Sequence, residues 1–345
     1  MATIHKYTTE AGRVNTIVGE TIAHSIPHEV LSIVGQKKEM PKNKGDTIIY
    51  RSWLPPGAAA ATPNVWTVTA AAHATSEGVT PTAESLTPRD VTVTLQQYAC
   101  LYSVSDKTVD LYEDDVPKEM KKMTGQRMGL VREKVRYGAY KAGTNLFYSG
   151  GTSRATVDEA ITLKALRRVG RSLMQNRAQM VTEILDASAK YSTSPVEASF
   201  LVFCHSDCEP DIRDLAGFKH VAEYGQRKVM HENELGSCER FRFVVSPELS
   251  SIADAGAAIG STGLYSTTGS NIDVYPVLIT AEDAWGDVML RGDNSMKVYY
   301  LPPNKIDKSD PAGQRGYVSA KFYSAATVLN NGWMAVLECG VAILT

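Results

Sequence analysis

The longest periodic segment of the chain is residues 117–147, PKEMKKMTGQRMGLVREKVRYGAYKAGTNLF. Pro117 suits the first turn of a helix, and apolar residues then recur every three to five positions, as on one face of an amphipathic helix. These apolar positions are Met120, Met123, Met128, Val131, Val135, Ala139, Ala142 and Leu146. At ~1.5 Å per residue the helix would be roughly 45 Å long. Most of the opposite face is Lys, Arg, Glu and Gln, so the segment predicts a long helix that packs on one side only.

The region before this helix changes composition abruptly. Residues 55–88 read PPGAAAATPNVWTVTAAAHATSEGVTPTAESLTP, almost entirely small residues, Thr and Pro. Such a segment cannot form a core, and a long stretch without periodicity is uncommon inside a compact domain. We therefore predict an extended hairpin or arm that reaches away from its own subunit.

Three apolar residues in this segment are candidates for a contact with a neighbouring subunit. They are Val65, Trp66 and Val68. Tryptophan is enriched among the residues that dominate interface energetics, which favours Trp66 as an anchor. The alternative is that Trp66 covers the sheet of its own subunit.

The rest of the chain shows several shorter elements. Residues 21–35 have near-helical apolar spacing that ends at Gly35, and residues 46–54, DTIIYRSWL, are typical of a strand. Val91, Val93 and Leu95 alternate with polar residues, the pattern of a half-buried strand. YACLYSVS (98–105) extends this strand region, and we expect the C-terminal hairpin to complete the sheet begun by DVTVTLQQY (90–98).

The second half of the chain alternates helix and strand patterns. Thr162 is a suitable N-cap for a helix with Leu163, Leu166, Val169, Leu173 and Met174 on its apolar face. Strands are predicted at SFLVFC (199–204) and FRFVVS (241–246), with a short helix over 206–215 and a loop over 253–271. At the end, YVSAKFYSAATVLN, Asn331-Gly332 and WMAVLECGVAIL predict a hairpin with a tight turn. The whole pattern indicates a mixed α+β protein.

Composition narrows the function classes. Lys plus Arg total 36 against 38 Asp plus Glu, so the net charge of −2 provides no global attraction for nucleic acid. The sequence lacks an apolar run long enough to span a bilayer and begins without a signal-peptide core, so we expect a protein that is made and kept in a cytoplasm. Five cysteines at irregular spacing predict reduced thiols rather than disulfides.

Signatures of catalysis are absent from the sequence, and we predict no catalytic, cofactor-binding or metal-binding residues. The best metal candidate is the set Cys204, His205, Cys208, His220, His231 and Cys238, whose spacing matches no standard zinc motif. The simpler interpretation is buried thiols and surface histidines. Arg167, Arg168 and Arg171 form a basic stripe that fits a solvated helix face or an intersubunit ion pair better than a nucleic-acid contact.

Four segments resemble, in the same order, the major capsid proteins of podophages of the N-four-like type. They are TSEGVTPTAESLTPRDVTVTLQQYACLYSVSD (75–106), FYSGGTSRA (147–155), DVYPVLITAEDAWG (273–286) and DPAGQRGYVSAKFYSAATVLNNGWMAVLE (310–338). The resemblance implies the Hong Kong 97-type capsid fold. It divides the chain into an N-terminal arm (1–40), an extended loop (41–88), a peripheral domain with a long spine helix (89–154), an axial domain (155–285) and a return to the peripheral domain (286–345).

The resemblance also implies the function and the partners. The chain would assemble into hexamers and pentamers of an icosahedral phage head around double-stranded DNA, without sequence-specific DNA binding, membrane contact or cofactor. Portal and scaffolding proteins would take part in assembly. Whether a decoration protein also binds is left open. Because only about forty residues precede the first strand, without sustained charged heptads, we expect the scaffolding protein to be a separate chain. The alternatives are the shell protein of an encapsulin-like nanocompartment and a metal-dependent enzyme.

Overall fold

The computed structural model describes residues 29–75, 77–78, 80, 83–111, 115–181, 198–224, 229–260, 263–291, 297–306 and 310–344. Over these ranges the chain forms three β-sheets and four α-helices, which confirms the predicted mixed class. The helices are α1 (Asp106–Leu111), α2 (Val116–Lys141), α3 (Leu163–Gln175) and α4 (Glu209–Arg213).

A five-stranded sheet carries the long helix. Its strands are β1 (Gln36–Met40), β4 (Gln96–Ser105), β11 (Trp285–Leu290), β12 (Lys297–Leu301) and β13 (Arg315–Val328). The 14-residue strand β13 pairs antiparallel with β11, β12 and β4, so it organises the whole sheet. Helix α2 packs across β13 through Met128 against Ala320 and Phe322. The helix and this sheet therefore form one two-layer unit.

A seven-stranded sheet forms the other layer of the core. Its order is β5 (Leu146–Tyr148), β14 (Met334–Cys339), β10 (Tyr275–Thr280), β6 (Phe200–Cys204), β9 (Phe241–Val245), β8 (Glu234–Cys238) and β7 (Lys219–His220). Strand β6 is buried on both faces, because its alternate residues enter two different apolar clusters. The predicted strands at 199–204 and 241–246 are confirmed, and their unbroken apolar runs follow from this double burial.

Helix α3 covers one face of this sheet. The Thr162 hydroxyl accepts a hydrogen bond from the Ala165 N–H at 3.3 Å, as its predicted N-cap role requires. Leu166, Val169 and Leu173 are fully buried against the sheet. Met174 was expected on the same face but is 44% exposed, because it lies one position beyond the apolar stripe.

The third sheet is a hairpin of two strands, β2 (Thr47–Leu54) and β3 (Thr87–Thr94). They pair antiparallel from Thr47 opposite Thr94 to Leu54 opposite Thr87. The predicted strand at 91–95 therefore belongs mainly to this hairpin. The expectation that residues 90–98 begin a sheet completed near the chain end is confirmed for residues 96–98, which open β4 and pair with β13, and is wrong for residues 90–94, which pair with β2.

The predicted C-terminal hairpin is also wrong. Strand β13 belongs to the five-stranded sheet, whereas β14 lies between β10 and β5 in the seven-stranded sheet. Neither Asn331 nor Gly332 adopts the positive φ that a primed two-residue turn requires. The chain turns here, with the Trp333 N–H donating to the Asn330 carbonyl, and crosses from one sheet to the other.

Helix α2 ends at Lys141 rather than near residue 147. Gly143 lies so close to Met334 that an added Cβ would be 2.8 Å from its methyl carbon, and Leu146 then pairs with Val336 as an edge strand. Pairing with β14 therefore replaces the last helical turns. The buried face also differs from the predicted one, since Met123 is 44% exposed while Glu133 and Arg136 are buried.

The predicted helix over 21–35 lies largely outside the described residues. Residues 29–35 are not helical, and Val30 and Leu31 are buried before β1 begins. Gly35 has φ of 111°, and an added Cβ would be 2.2 Å from the Trp285 ring. A glycine at this position therefore allows the turn and the close approach to the tryptophan.

Candidate intersubunit surface

The segment between β2 and β3 contains little regular structure. Within its described residues there is one short 3-10 turn, Ala70–His73, which has no buried residue. Val65, Trp66 and Val68 are 44%, 53% and 54% exposed. The three predicted contact residues therefore lie close together along an exposed segment, where a neighbouring subunit can reach them.

Trp66 is partly in contact with its own subunit. It lines a groove of about 390 Å³ together with Trp53, Pro55, Asn176 and Trp333. Over half of its surface remains exposed, so its own subunit covers only part of the ring. The two interpretations of Trp66 are thus compatible: the side chain lines a groove of its own subunit and keeps exposed surface that a neighbouring subunit can contact.

A hydrogen-bonded tether fastens one point of this segment to its own subunit. The side-chain amides of Asn64 and Asn330 exchange two hydrogen bonds, of 3.0 and 2.7 Å, and Arg177 donates to the Asn64 carbonyl at 2.8 Å. Near the loop end of the hairpin, Arg89 donates to the Leu329 carbonyl at 3.0 Å. Beyond these contacts, the described residues between 65 and 86 are exposed.

Trp66→Ala is expected to weaken the association of subunits while leaving the subunit itself almost unchanged. The ring is half exposed in the isolated chain, whereas a tryptophan buried at an interface contributes ~2 kcal/mol or more. The measurement compares the thermal midpoint of the unassembled chain with the denaturant concentration that dissociates assembled particles. Met174→Ala removes a similarly exposed side chain on α3 and is the control. A large fall in the subunit midpoint for Trp66→Ala alone would assign the ring to its own core.

A second cluster lies where the residues before β1 meet helix α2, and we call it the junction. Its buried charged members are Glu133, Arg136 and Asp287. The partly exposed Glu29 lies 3.7 Å from the Arg136 guanidinium. The Glu133 carboxylate accepts the N–H groups of Val30 and Leu31, each at 2.8 Å. Arg136 donates twice to Asp287, at 2.9 and 2.6 Å, and lies 3.6 Å from the other oxygen of Glu133. The junction thus joins three distant parts of the chain through charged hydrogen bonds.

Burial shifts the pKa values of the charged side chains at the junction. Burial raises the pKa of Glu133, although the two N–H donors and Arg136 oppose that shift. For Arg136 burial acts to lower the pKa, but the Asp287 and Glu133 carboxylates outweigh it and the net pKa is raised. Arg136 therefore stays charged, and the two carboxylates depend on it for compensation.

Aromatic residues enclose the junction. Tyr140 stacks on Trp285 with the ring centroids 4.1 Å apart, and the Trp285 indole donates to the Val34 carbonyl at 2.6 Å. Tyr50 of β2 reaches the same place, where burial and the nearby Asp287 raise its pKa to about 12. The base of the β2–β3 hairpin and the residues before β1 are thus held by one cluster.

The candidate metal ligands do not form a single site. Among the described residues, no group of three or more His, Cys, Asp and Glu side chains has an arrangement that could hold a metal ion. His205, His220 and His231 each accept the backbone N–H of the residue two positions later, at 3.1, 3.2 and 3.1 Å. Their ring nitrogens therefore stabilise local turns.

The thiols are buried. Cys204, Cys208, Cys238 and Cys339 are fully buried, Cys100 is half-buried, and none of the five forms a disulfide. Burial raises the pKa of Cys204 well above its usual range, which keeps the thiol protonated and unreactive. The neighbouring Cys339 and burial likewise raise the pKa of Cys208.

Chelators and reductants are accordingly expected to leave both the subunit and its assemblies intact. The measurement is the thermal midpoint and the sedimentation profile with and without EDTA and dithiothreitol. Either reagent dissolving the assemblies, or stoichiometric zinc in the purified protein, would contradict this expectation.

No α-helix within the described part of the chain is long and apolar enough to cross a membrane.

The long helix on a five-stranded sheet, the second sheet beside it and the extended hairpin together define the fold of tailed-phage capsid proteins, the Hong Kong 97 type. The capsid protein of Ralstonia phage GP4 has a TM-score of 0.64, with 13% identity and 100% of both chains covered. The head protein of Helicobacter pylori bacteriophage KHP40 has a TM-score of 0.62 and 11% identity, covering 99% of this chain and 98% of that one. The capsid of cyanophage Pam1 has a TM-score of 0.60 and 14% identity, covering 97% of this chain and 98% of that one. These likenesses establish the fold.

One curated protein is similar to the chain in sequence. The major capsid protein of Pseudomonas phage KPP21 is 22% identical over 211 residues, which are 57% of this chain and 53% of that protein. The chain thus spans about half the length of the curated relative that it matches. No protein-family model matches the sequence.

Proposed function

We propose that this chain is the major capsid subunit of a tailed bacteriophage, which assembles with copies of itself into the hexamers and pentamers of an icosahedral head around double-stranded DNA. The observation that carries the proposal is the end-to-end structural likeness to phage capsid subunits, which covers nearly all of both chains. The sequence similarity to a phage major capsid protein supports the same role. The role is structural rather than catalytic.

The proposal includes the division of labour within the subunit that the sequence resemblance implies. Residues 1–40 act as the N-terminal arm, 41–88 as the extended loop, 89–154 and 286–345 mainly as the peripheral domain, and 155–285 mainly as the axial domain, whose seven-stranded sheet also includes β5 and β14. Val65, Trp66 and Val68 are the contact residues of the loop. Their exposure and their position beyond the Asn64 tether support this assignment.

Assembly needs further proteins in this proposal. A portal occupies one vertex, a separate scaffolding protein sets the curvature, and assembly takes place in the cytoplasm of the host bacterium, after which the chain is part of the virion. A decoration protein on the outer face is compatible with this role.

The proposal is tested by sedimentation of the full-length chain, expressed alone and together with its scaffolding protein. A capsid subunit gives discrete large species, the size of capsomers and of closed particles, in at least one condition. A chain that remains monomeric in both conditions contradicts the proposal, and particles that enclose a co-purified enzyme would indicate a nanocompartment instead.

A further inference from the structure

One face of helix α3 forms an exposed groove rich in cationic side chains, which we call the basic groove. It has a volume of about 490 Å³ and is lined by Lys164, Arg167, Arg168 and Arg171 together with Tyr148. Glu159 is the one carboxylate among its described lining residues. The four cations are all exposed to solvent.

The four cations differ in what they contact within the subunit. Arg167 pairs with the Glu239 carboxylate, so its charge is largely compensated. The Arg168 guanidinium lies over the Phe147 ring, 5.2 Å from its centroid, which orients it without neutralising it. Within the described residues, neither Lys164 nor Arg171 forms an ion pair. Three positive charges thus remain for an external anion.

The spacing of these three charges fits a regular polyanion. Lys164, Arg168 and Arg171 lie at i, i+4 and i+7 on one helix face, so they span about 10 Å along the axis at ~1.5 Å per residue. One strand of duplex DNA carries a phosphate about every 3.4 Å along its axis. A row of three cations of this length therefore covers about three phosphates of one strand.

We propose that the basic groove lies against the enclosed DNA and binds the phosphates of its backbone. This inference rests on the proposed function and identifies the part of the subunit wall that touches the genome. With a net charge of −2 the chain has no overall attraction for DNA, so contact needs a local cationic face. Binding to phosphates alone carries no sequence preference, as packaging of a whole genome requires.

The test measures the affinity of the unassembled full-length chain for a fluorescently labelled duplex of random sequence at increasing salt. Neutralising Lys164, Arg168 and Arg171 to Gln is expected to reduce the slope of log affinity against log salt by about 2.7, since each phosphate contact contributes ~0.9. Between about 50 and 200 mM salt, these contacts account for an approximately 40-fold loss of affinity.

The control removes the same net charge elsewhere, as Lys118→Gln, Lys122→Gln and Lys305→Gln, all exposed and outside the groove. The proposal expects the control to keep the native slope and both triple variants to form closed particles. Equal slopes for the native chain and the groove variant, or an equal loss in the control, would overturn it.

Particle formation separates this inference from the proposed function. If the groove variant alone no longer assembles, the basic groove contacts an acidic face of a second copy, and the DNA assignment is wrong. If the native chain forms no particles under any condition, the proposed function fails whatever the slope.

Discussion

Arg136→Met is expected to lower the free energy of unfolding of the subunit by about 3–5 kcal/mol, the cost of leaving buried carboxylates without their cation. Arg136 is buried and compensates both Asp287 and Glu133. Methionine fills a similar volume, so the loss is one of charge rather than of packing. Because a domain of this kind is stable by only about 5–15 kcal/mol, the variant is expected to give little soluble protein. Urea unfolding of the unassembled chain measures the change.

Two further variants make this result specific. Arg127→Met removes an exposed arginine of the same helix, which lies over the Tyr102 ring, and is expected to leave the free energy of unfolding almost unchanged. Adding Asp287→Asn to Arg136→Met is expected to recover part of the lost stability, because it removes one uncompensated charge. Arg136→Met with the same stability as Arg127→Met would show that the junction does not hold the fold together.

Replacement of residues 65–85 by a short Gly-Ser linker is expected to abolish closed particles while leaving a soluble subunit that melts cooperatively. The replaced segment includes Val65, Trp66 and Val68, which are exposed in the isolated subunit. The linker keeps Asn64, so the amide pair with Asn330 remains. Differential scanning calorimetry and sedimentation of the same sample measure the two effects separately.

Asn64→Ala provides the matched comparison, since it removes the amide pair of the tether, leaves the backbone carbonyl that accepts from Arg177, and keeps the loop. It leaves the buried Asn330 amide without its partner, at a cost of about 1–3 kcal/mol in subunit stability. Aggregation or a non-cooperative melt of the loop replacement would mean that residues 65–85 belong to the core of their own subunit.

Elements whose burial is uniform could be predicted from the sequence. Phe200–Cys204 is apolar throughout because both faces of the strand are buried, and Leu166, Val169 and Leu173 keep helical spacing because one face of α3 is buried. The composition of residues 55–88 likewise indicated a segment outside the core. A local sequence pattern is sufficient for prediction where the whole helix, strand or loop lies in one environment, either buried or exposed.

Prediction failed where distant parts of the chain decide the local structure. Glu133 and Arg136 lie on the polar face that the pattern assigned to solvent, and they are buried because Asp287 and the residues before β1 supply charged hydrogen bonds. Their i,i+3 spacing was the one available signal, and it is equally typical of an exposed pair. The prediction of a hairpin at Asn331-Gly332 was wrong for a similar reason. Strands β10 and β5 pair with the two edges of β14, so no edge remains for β13.

Electron cryomicroscopy of the purified, assembled chain tests the central claim most directly. We predict closed particles of uniform diameter with icosahedral symmetry, whose subunit density contains helix α2 across the five-stranded sheet and residues 65–86 over a neighbouring subunit. Open sheets or heterogeneous aggregates, or closed particles in which residues 65–86 contact only their own subunit, would contradict it.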